Sequence, residues 1–367
     1  MKPAPEPIEA ISQRVESFVA SQLSLNEDFG DEAQLLIEAG ARAVGGGKRL
    51  RGRFALAGWR AVAEHGVPST TSLTPPPEVV AAAASLEIFH AAALVHDDVI
   101  DNSDTRRGQP AAHRALEAQH RSAAWAGDAE AFGRFGAILL GDLLLAWSDD
   151  LFEEGLSSLP IERARATRDQ YSKMRREVTL GQFLDIAEES AFRAAPAHTH
   201  ASRALRVASL KSARYSVLQP LCIGASLADP DAEQMNALSA FGHPLGMAFQ
   251  LRDDVLGVFG DERATGKPSG DDLREGKRTV LIAYAQEGLD PHMSRLLNEL
   301  VGDPTLDSEQ IAALQRTIVD SGALDRVEDL IAQYALEAER SLNGARLGNS
   351  AVGDLRDLAR AATIRTA

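Results

Sequence analysis

Apolar positions recur at helical spacing along most of the chain. Between Ile8 and Leu25, the residues Ile8, Ile11, Val15, Phe18, Val19 and Leu23 follow one another mostly at intervals of three and four, the period of one helix face. Residues 1–25 therefore read as an N-terminal helical segment. The stretch Pro77 to Val99 is apolar nearly all round, which predicts a buried helix, and Pro75, Pro76 and Pro77 suit a loop that ends in proline at a helix start. Phe135 to Trp147, Val207 to Leu227 and Ser239 to Phe259 are further buried-helix candidates. Alternating strand patterns are absent. Glycine, proline and polar clusters mark loops at 67–76, 102–110, 193–200, 259–276 and 302–307. None is long enough to serve as a domain linker, and no solenoid period stands out. The pattern predicts an all-α protein with a single large helical domain over 1–367. The polar, small-residue stretch 119–134 reads either as a helix extension or as a surface insertion.

Composition fits that picture. Apolar residues make up 44% of the 367 positions and aromatics only 5%, with alanine and leucine abundant, which favours helix over sheet. The net charge of −15 argues against nucleic acid or an anionic membrane as the main partner, while leaving room for a local basic pocket. The single cysteine, Cys222, lies in an apolar stretch and reads as a buried small hydrophobe. The first ten residues carry three prolines and no signal-type apolar core. No run of about 18 apolar residues is evident, so no membrane span is expected. The cytoplasm is the expected location.

The strongest chemical signal is His96-Asp97-Asp98-Val99-Ile100-Asp101, continued by Asn102-Ser103-Asp104-Thr105-Arg106-Arg107-Gly108. Asp97 and Asp101 are four apart and share a helix face. The cluster ends an apolar helix, where the macrodipole already disfavours negative charge, so it calls for a compensating cation. Hard cations such as Mg²⁺ bind through one or two carboxylates together with phosphates and waters. A second cluster, Gln250-Leu251-Arg252-Asp253-Asp254, closes another apolar helix. Two such pairs suggest a cavity with acidic walls on both sides, able to hold divalent ions on one polyphosphate. Gly257 stands where a third aspartate would repeat the first pattern, which predicts fewer carboxylates at the second site.

Basic elements complement these clusters. Gly45-Gly46-Gly47-Lys48-Arg49-Leu50-Arg51 puts three cations after a glycine turn, with Lys48 and Arg51 on one face, a pattern open to an anion site or a solvated basic turn. Arg106 and Arg107 follow the first acidic cluster, and arginine suits bidentate phosphate contacts. Lys211, Lys267 and Lys277 add cations around the second cluster. The histidines read blandly: His198 and His200 as a solvated loop, His113 and His120 as surface residues near the arginine pair, His243 as a packed or capping residue.

Taken in order, these motifs resemble the trans-isoprenyl diphosphate synthases, the polyprenyl synthetase family. The match runs from about residue 30 to 340 and includes Gly46 to Arg51, the first aspartate motif with its Arg-Arg-Gly, Gly141-Asp142, Gly181-Gln182, Lys211-Ser212, Phe249 to Asp254, and Gly266-Lys267-Pro268. With Gly257 and the stretch Gly270 to Thr279, it resembles actinobacterial geranylgeranyl diphosphate synthases most closely. The resemblance implies antiparallel helices around a central cavity and a homodimer. It implies that Asp97 and Asp101, with Asp98 assisting, hold two Mg²⁺ ions on an allylic diphosphate, and that Asp253, supported by Asp254, holds a third. Arg106, Lys211 and Lys267, with Ser212, Gln250 and Lys277 nearby, would contact the allylic diphosphate. Lys48, Arg51, His90 and Arg107 would hold isopentenyl diphosphate. Gly52 departs from the proline that commonly follows the basic motif, and Ser212 from the usual threonine.

The implied reaction is ionisation of dimethylallyl, geranyl or farnesyl diphosphate, condensation with isopentenyl diphosphate, and loss of a proton. Product length would depend on residues one and two turns before Asp97, roughly 6 and 12 Å down the helix axis. Ala93 and Ala92 leave room there, and Phe89 could form a deeper floor, which points to a twenty-carbon product. Two other readings stay open. A class I terpene cyclase shares the acidic clusters, and Gly257 and Asp261 partly echo its second motif, but it needs no second diphosphate site. A non-catalytic subunit of a heteromeric synthase would be expected to lose first-cluster carboxylates that this chain keeps.

Overall fold

Helices account for nearly all regular structure, as the apolar periodicity predicts. A computed structural model describes residues 6–68, 73–260 and 269–363. Lys267, the loop around it and Asp261 lie outside these residues. The helices are α1 (Pro7–Leu25), α2 (Asp31–Ala43), α3 (Leu50–Ala63), α4 (Pro77–Ile100), α5 (Ala112–Ser122), α6 (Ala129–Leu156), α7 (Ile161–Ala191), α8 (His200–Val207), α9 (Gln219–Ser226), α10 (Ala232–Phe259), α11 (Asp271–Glu275), α12 (Val280–Gly288), α13 (Pro291–Leu300), α14 (Ser308–Asp320), α15 (Ala323–Ser341) and α16 (Asn349–Thr363). A π-helical segment, Ala208–Leu218, joins α8 to α9. The one β element among the described residues is a ribbon of β1 (Thr105–Arg106) and β2 (Gln109–Pro110), paired antiparallel. Its two-residue turn has positive φ at Arg107 (53°) and Gly108 (73°), the turn geometry that matches strand twist in tight hairpins. The chain divides into two compact units, one of residues 1–59 and 73–164 and one of 60–72 and 165–367.

In the first unit α4 is the central helix and packs most extensively along α6. Ala82, Ala83, Ala84, Leu86, Ile88 and Ala92 have no accessible surface, so α4 is buried on nearly every face. Small residues let the two helices close up. At Gly155 of α6 a Cβ would meet the Ala82 nitrogen of α4 at 2.9 Å. Ser148 donates to the Ser85 carbonyl at 2.8 Å, satisfying a buried hydroxyl within the contact. Over an 18-residue window α4 has mean hydropathy 1.6, long and apolar enough to cross a membrane by composition. Ser85, Glu87 and His90 interrupt it, so it is not an unbroken apolar run and no membrane span is evident. Here 72% of the window is buried inside the protein, as befits a core helix. The stretch 119–134 is the last turn of α5, a connection with Ala124 and Gly127 at positive φ, and the first turn of α6 capped by Asp128. His120, Trp125 and Phe132 pin it as an aromatic cluster with centroids 5.0 to 5.9 Å apart.

The second unit is built around α10, whose Leu238, Phe241, Leu245, Ala248, Leu251 and Val258 are fully buried. A capping box of Asp231 and Gln234 starts it. Val280, Leu281 and Ile282 of α12, Ile311, Leu314 and Ile318 of α14, and Val327 and Ile331 of α15 close the core around its C-terminal half. The π segment packs on α10 where α10 carries no side chain: at Gly246 a Cβ would overlap the Ala213 backbone. The helix predicted over Val207 to Leu227 begins at the end of α8, is π-helical over Ala208–Leu218 and is α-helical again from Gln219, with Pro220 in its first turn.

Candidate active site

The first acidic cluster lies at the C-terminal end of α4, as its sequence position requires. The amides of Asp101 and Ser103 donate to the carbonyls of Asp97 (2.8 Å) and Asp98 (3.0 Å), so the exposed end of the helix is satisfied by its own continuation. The three carboxylates are not equivalent. Asp97 and Asp101 are half-buried on one face. Asp98 is 2% exposed and turned to Arg106, whose Nε donates to Oδ1 at 2.9 Å and whose Nη2 reaches the same oxygen. Burial pushes the Asp98 carboxyl up, against the opposing pull of Arg106. Arg106 Nη2 also lies 4.0 Å from Asp97. Asp98 thus fixes an arginine beside the cluster, while Asp97 and Asp101 stay partly accessible.

The basic motif lies alongside in the same unit. Gly46 and Gly47 take φ of 67° and 91°, and Arg49 follows at 50°. Arg107, at the tip of the β ribbon, donates from Nη1 to the Gly45 carbonyl at 2.8 Å. Its guanidinium covers Gly47, where a Cβ would stand 3.1 Å from Nη2. The arginine after the first cluster is thereby tied to the glycine turn 62 residues earlier in the chain. Lys48 is exposed, Arg51 half-buried and Arg49 buried, donating to the Val44 carbonyl at 2.9 Å. The half-buried ring of His90 is held well below its usual pKa by burial, then by the guanidiniums of Arg51, Arg107, Arg106 and Arg49. Four guanidiniums that act on one imidazole are an arrangement suited to an anion.

Glu87, one turn before His90, was not singled out in the sequence. Its buried carboxylate accepts from the Gly52 amide at 2.8 Å, at the N-terminus of α3 that carries Arg51. Proline at position 52 has no N–H and could not make this bond. A Cβ at 52 would also stand 2.8 Å from Ile11 Cδ1 and 3.1 Å from the Ala83 carbonyl.

In the second unit Asp253 and Asp254 lie near the end of α10. Asp253 is half-buried. Asp254 is buried, and Gln250 Nε2 donates to its Oδ1 at 2.6 Å. Burial first, and then the charges of Asp272, Asp253 and Asp185, push the Asp254 carboxyl up to about 8. Lys211, on the π segment, pairs with Asp185 of α7 at 2.5 Å, and Ser212 beside it is half-buried. Gly181 of α7 lets the Lys211 backbone approach, since a Cβ there would overlap it. Lys277 pairs with Glu275 at 2.6 Å and with Asp272 at 3.6 Å. Asp185 and Asp272 are further residues that the sequence reading missed, although Asp185 stands three positions after the Gly181-Gln182 motif.

Among the described residues no three His, Cys, Asp or Glu side chains form a ready-made metal cage. Mg²⁺ binds through one or two carboxylates and completes its shell with water and phosphate oxygens. The hard-oxygen donors Asp97, Asp101 and Asp253 fit this role.

Several histidines differ from expectation. His113 and His120 are buried, at 2% and 4% exposure, rather than on the surface. His200 is packed rather than solvated, stacked on Phe192 with centroids 3.9 Å apart and bonded to the Phe192 and Ala195 carbonyls. His243 is packed as expected, 3.0 Å from Ser209 Oγ. Cys222 is buried, with its thiol pushed up by burial, as a small hydrophobe would be. Phe89 (5%) and Ala92 (0%) are buried and Ala93 is partly accessible on the Asp97 face of α4.

Known proteins carry the same pattern. A family model described as polyprenyl synthetase matches residues 33–318. A geranylgeranyl pyrophosphate synthase from Corynebacterium glutamicum, complexed with isoprenyl diphosphate and magnesium, superimposes with a TM-score of 0.89 at 39% identity over 98% of each chain. The short chain isoprenyl diphosphate synthase of Methanocaldococcus jannaschii is 33% identical over 234 residues, so the match spans 64% of each chain, just under two thirds of that relative's length. Component 2 of the heptaprenyl diphosphate synthase of Geobacillus stearothermophilus is 32% identical over 350 residues, 95% of this chain and 93% of that one. With the all-helical fold, both aspartate motifs and the basic motifs all in place, the chain belongs to the polyprenyl synthetase family of prenyltransferases.

Proposed function

We propose that this protein condenses isopentenyl diphosphate with an allylic diphosphate to give mainly geranylgeranyl diphosphate. The observation that carries the reading is a division of labour within one unit. The Asp97–Asp101 face suits a metal-bound diphosphate, while the arginines around His90 suit an anion held by cations alone. A terpene cyclase has one diphosphate to bind and leaves the second provision without a use. A non-catalytic subunit has no need of Asp97 and Asp101, both of which are kept.

In this scheme Lys48, Arg51, His90 and Arg107 hold isopentenyl diphosphate. Arg106, positioned by Asp98, contacts the allylic diphosphate, together with Lys211, Ser212, Gln250, Lys267 and Lys277. Mg²⁺ supplies charge neutralisation for a departing diphosphate, and Asp97, Asp101 and Asp253 are the carboxylates that would hold it. Lys211 leaves Asp185 for the incoming diphosphate, a more highly charged partner. The apolar flank of α4 before Asp97 shelters the allylic cation from water. Ala93 and Ala92 leave room for the growing chain, and Phe89 forms its floor. The relatives include both geranylgeranyl and heptaprenyl enzymes, and the twenty-carbon assignment rests on these three positions. The exposed Phe135, Ile138 and Leu139 of α6 form an apolar face suited to a second copy of the chain.

Incubation with Mg²⁺, farnesyl diphosphate and labelled isopentenyl diphosphate tests the reading. A linear twenty-carbon diphosphate is expected. A cyclic hydrocarbon without label would favour the cyclase, and no turnover the subunit.

A further inference from the structure

α3 starts against its own electrostatics. Its first turn holds no acidic residue, while Lys48, Arg49 and Arg51 gather at the end where the helix dipole disfavours cations. The Arg49 carbonyl accepts from the Arg53 amide at 2.9 Å, which makes Arg49 the N-cap residue. A serine, threonine, asparagine or aspartate at that position takes an amide of the first turn with its side chain, and arginine has no acceptor to do so. The acceptor comes from another helix. Glu87 of α4 takes the amide of Gly52, the third residue of α3, at 2.8 Å. Arg49 is 6% exposed, at φ 50°, and its guanidinium turns back to the Val44 carbonyl (2.9 Å) and the Ser12 hydroxyl (3.3 Å). Burial holds its pKa down, and Glu87 is the largest charge opposing that. One carboxylate, 5% exposed, thereby caps α3 and offsets a buried cation. Arg51 precedes Gly52 by one position, His90 follows Glu87 by one helical turn, and Arg51 is the largest charge acting on His90.

We propose that Glu87 is a positioning residue for isopentenyl diphosphate: by capping α3 from α4 it sets how Arg51 stands against His90. It acts through these two residues and through the glycine turn whose Val44 carbonyl Arg49 holds. An apolar residue could fill its space, but only an acceptor holds the Gly52 amide and only an anion offsets Arg49. Asp97 lies ten residues further along α4, roughly 15 Å along the axis, so the allylic diphosphate should hardly sense a change at Glu87. Only the name of the anion rests on the proposed function.

Steady-state kinetics of the full chain with Mg²⁺, farnesyl diphosphate and isopentenyl diphosphate give the first reading. Glu87→Leu is expected to raise the KM for isopentenyl diphosphate by about 10- to 100-fold, the upper end being the cost of a misplacement of roughly 1 Å. The KM for farnesyl diphosphate and kcat should stay close to wild type, the pattern of lost uniform binding. Glu87→Gln keeps an acceptor for the Gly52 amide and loses the charge, so its KM should fall between the two. A residue that only filled the core would lower the melting temperature and leave both KM values in place. The second reading does not depend on turnover. Binding of inorganic pyrophosphate without metal, followed by calorimetry, should weaken in the same order. Both KM values rising together, or wild-type affinity for isopentenyl diphosphate and pyrophosphate in a soluble Glu87→Leu, would overturn the inference. So would a Glu87→Gln no tighter than Glu87→Leu. Should the leucine variant fail to fold, Glu87→Gln decides alone, and a wild-type KM in it would overturn the inference. A wild-type protein that binds pyrophosphate but does not consume isopentenyl diphosphate would count against the proposed function, and Glu87 would then be judged on pyrophosphate affinity.

Discussion

Single residues decide how the groups at the proposed anion sites are held. Glu87 is a buried carboxylate that accepts from the Gly52 amide, so position 52 needs an N–H and no bulk. Gly52→Pro leaves that carboxylate without its donor and presses on Ile11. The two effects together should cost about 3 kcal/mol, from an unmatched buried acceptor and overpacking. Denaturant unfolding would measure it, and an unchanged midpoint would refute it. His90 gives a pH signature. Its folded pKa lies well below the ordinary value, so below about pH 6.5 the unfolded chain takes up a proton that the folded one does not. Stability must then fall with falling pH, by up to about 1.4 kcal/mol per pH unit from this group. His90→Gln should flatten the slope between pH 6.5 and 5. Equal slopes for both proteins would show that burial and the neighbouring arginines do not hold this histidine's pKa down in the folded protein.

At the scale of elements, what the sequence made legible follows from what burial writes into it. α4 reads as a helix because it is apolar on every face, and its end is read from Asp97 to Asp101. α1 and α10 are legible for similar reasons. The π segment was not legible. Ala208–Leu218 is mostly small or apolar, and a sequence buried on most sides does not reveal whether its turns hold 3.6 or more residues. What selects the wider turn is the neighbour: Gly246 of α10 and Gly181 of α7 let the backbones at Ala213 and Lys211 come closer than any side chain would allow. Gly246→Ala therefore pushes on backbone, which cannot swing aside as a side-chain tip can. A cost of about 1–3 kcal/mol is expected. Because Lys211 rides on this segment, Mg²⁺-dependent pyrophosphate affinity should fall as well. A loss of stability with affinity intact would separate the segment's packing from its presentation of Lys211. Asp272 was hidden for a related reason. Its proximity to Gly257 is created by how α11 folds back, and no spacing rule reports that.

For the whole molecule, the family and the all-helical fold were legible from motif order, whereas assembly leaves only a surface trace. α6 is buried along one side by α4 and α5, yet Phe135 and Leu139 on its outer side are 63% and 59% exposed, with Ile138 between them at 43%. These positions share one helix face. In sequence they merge with the buried residues of α6 into one apolar run, which is why Phe135 to Trp147 reads simply as a core helix. An apolar stripe of this kind on an otherwise acidic surface is costly in water unless covered. If a second copy covers it, the two-fold operation brings the same stripe from both chains together. Phe135→Glu combined with Leu139→Glu would set like charges against each other at the centre of that contact. The wild-type chain should sediment at twice its 39.3 kDa mass, and the variant at the single mass with helical content retained. A variant that still sediments as a dimer would place the contact on another face.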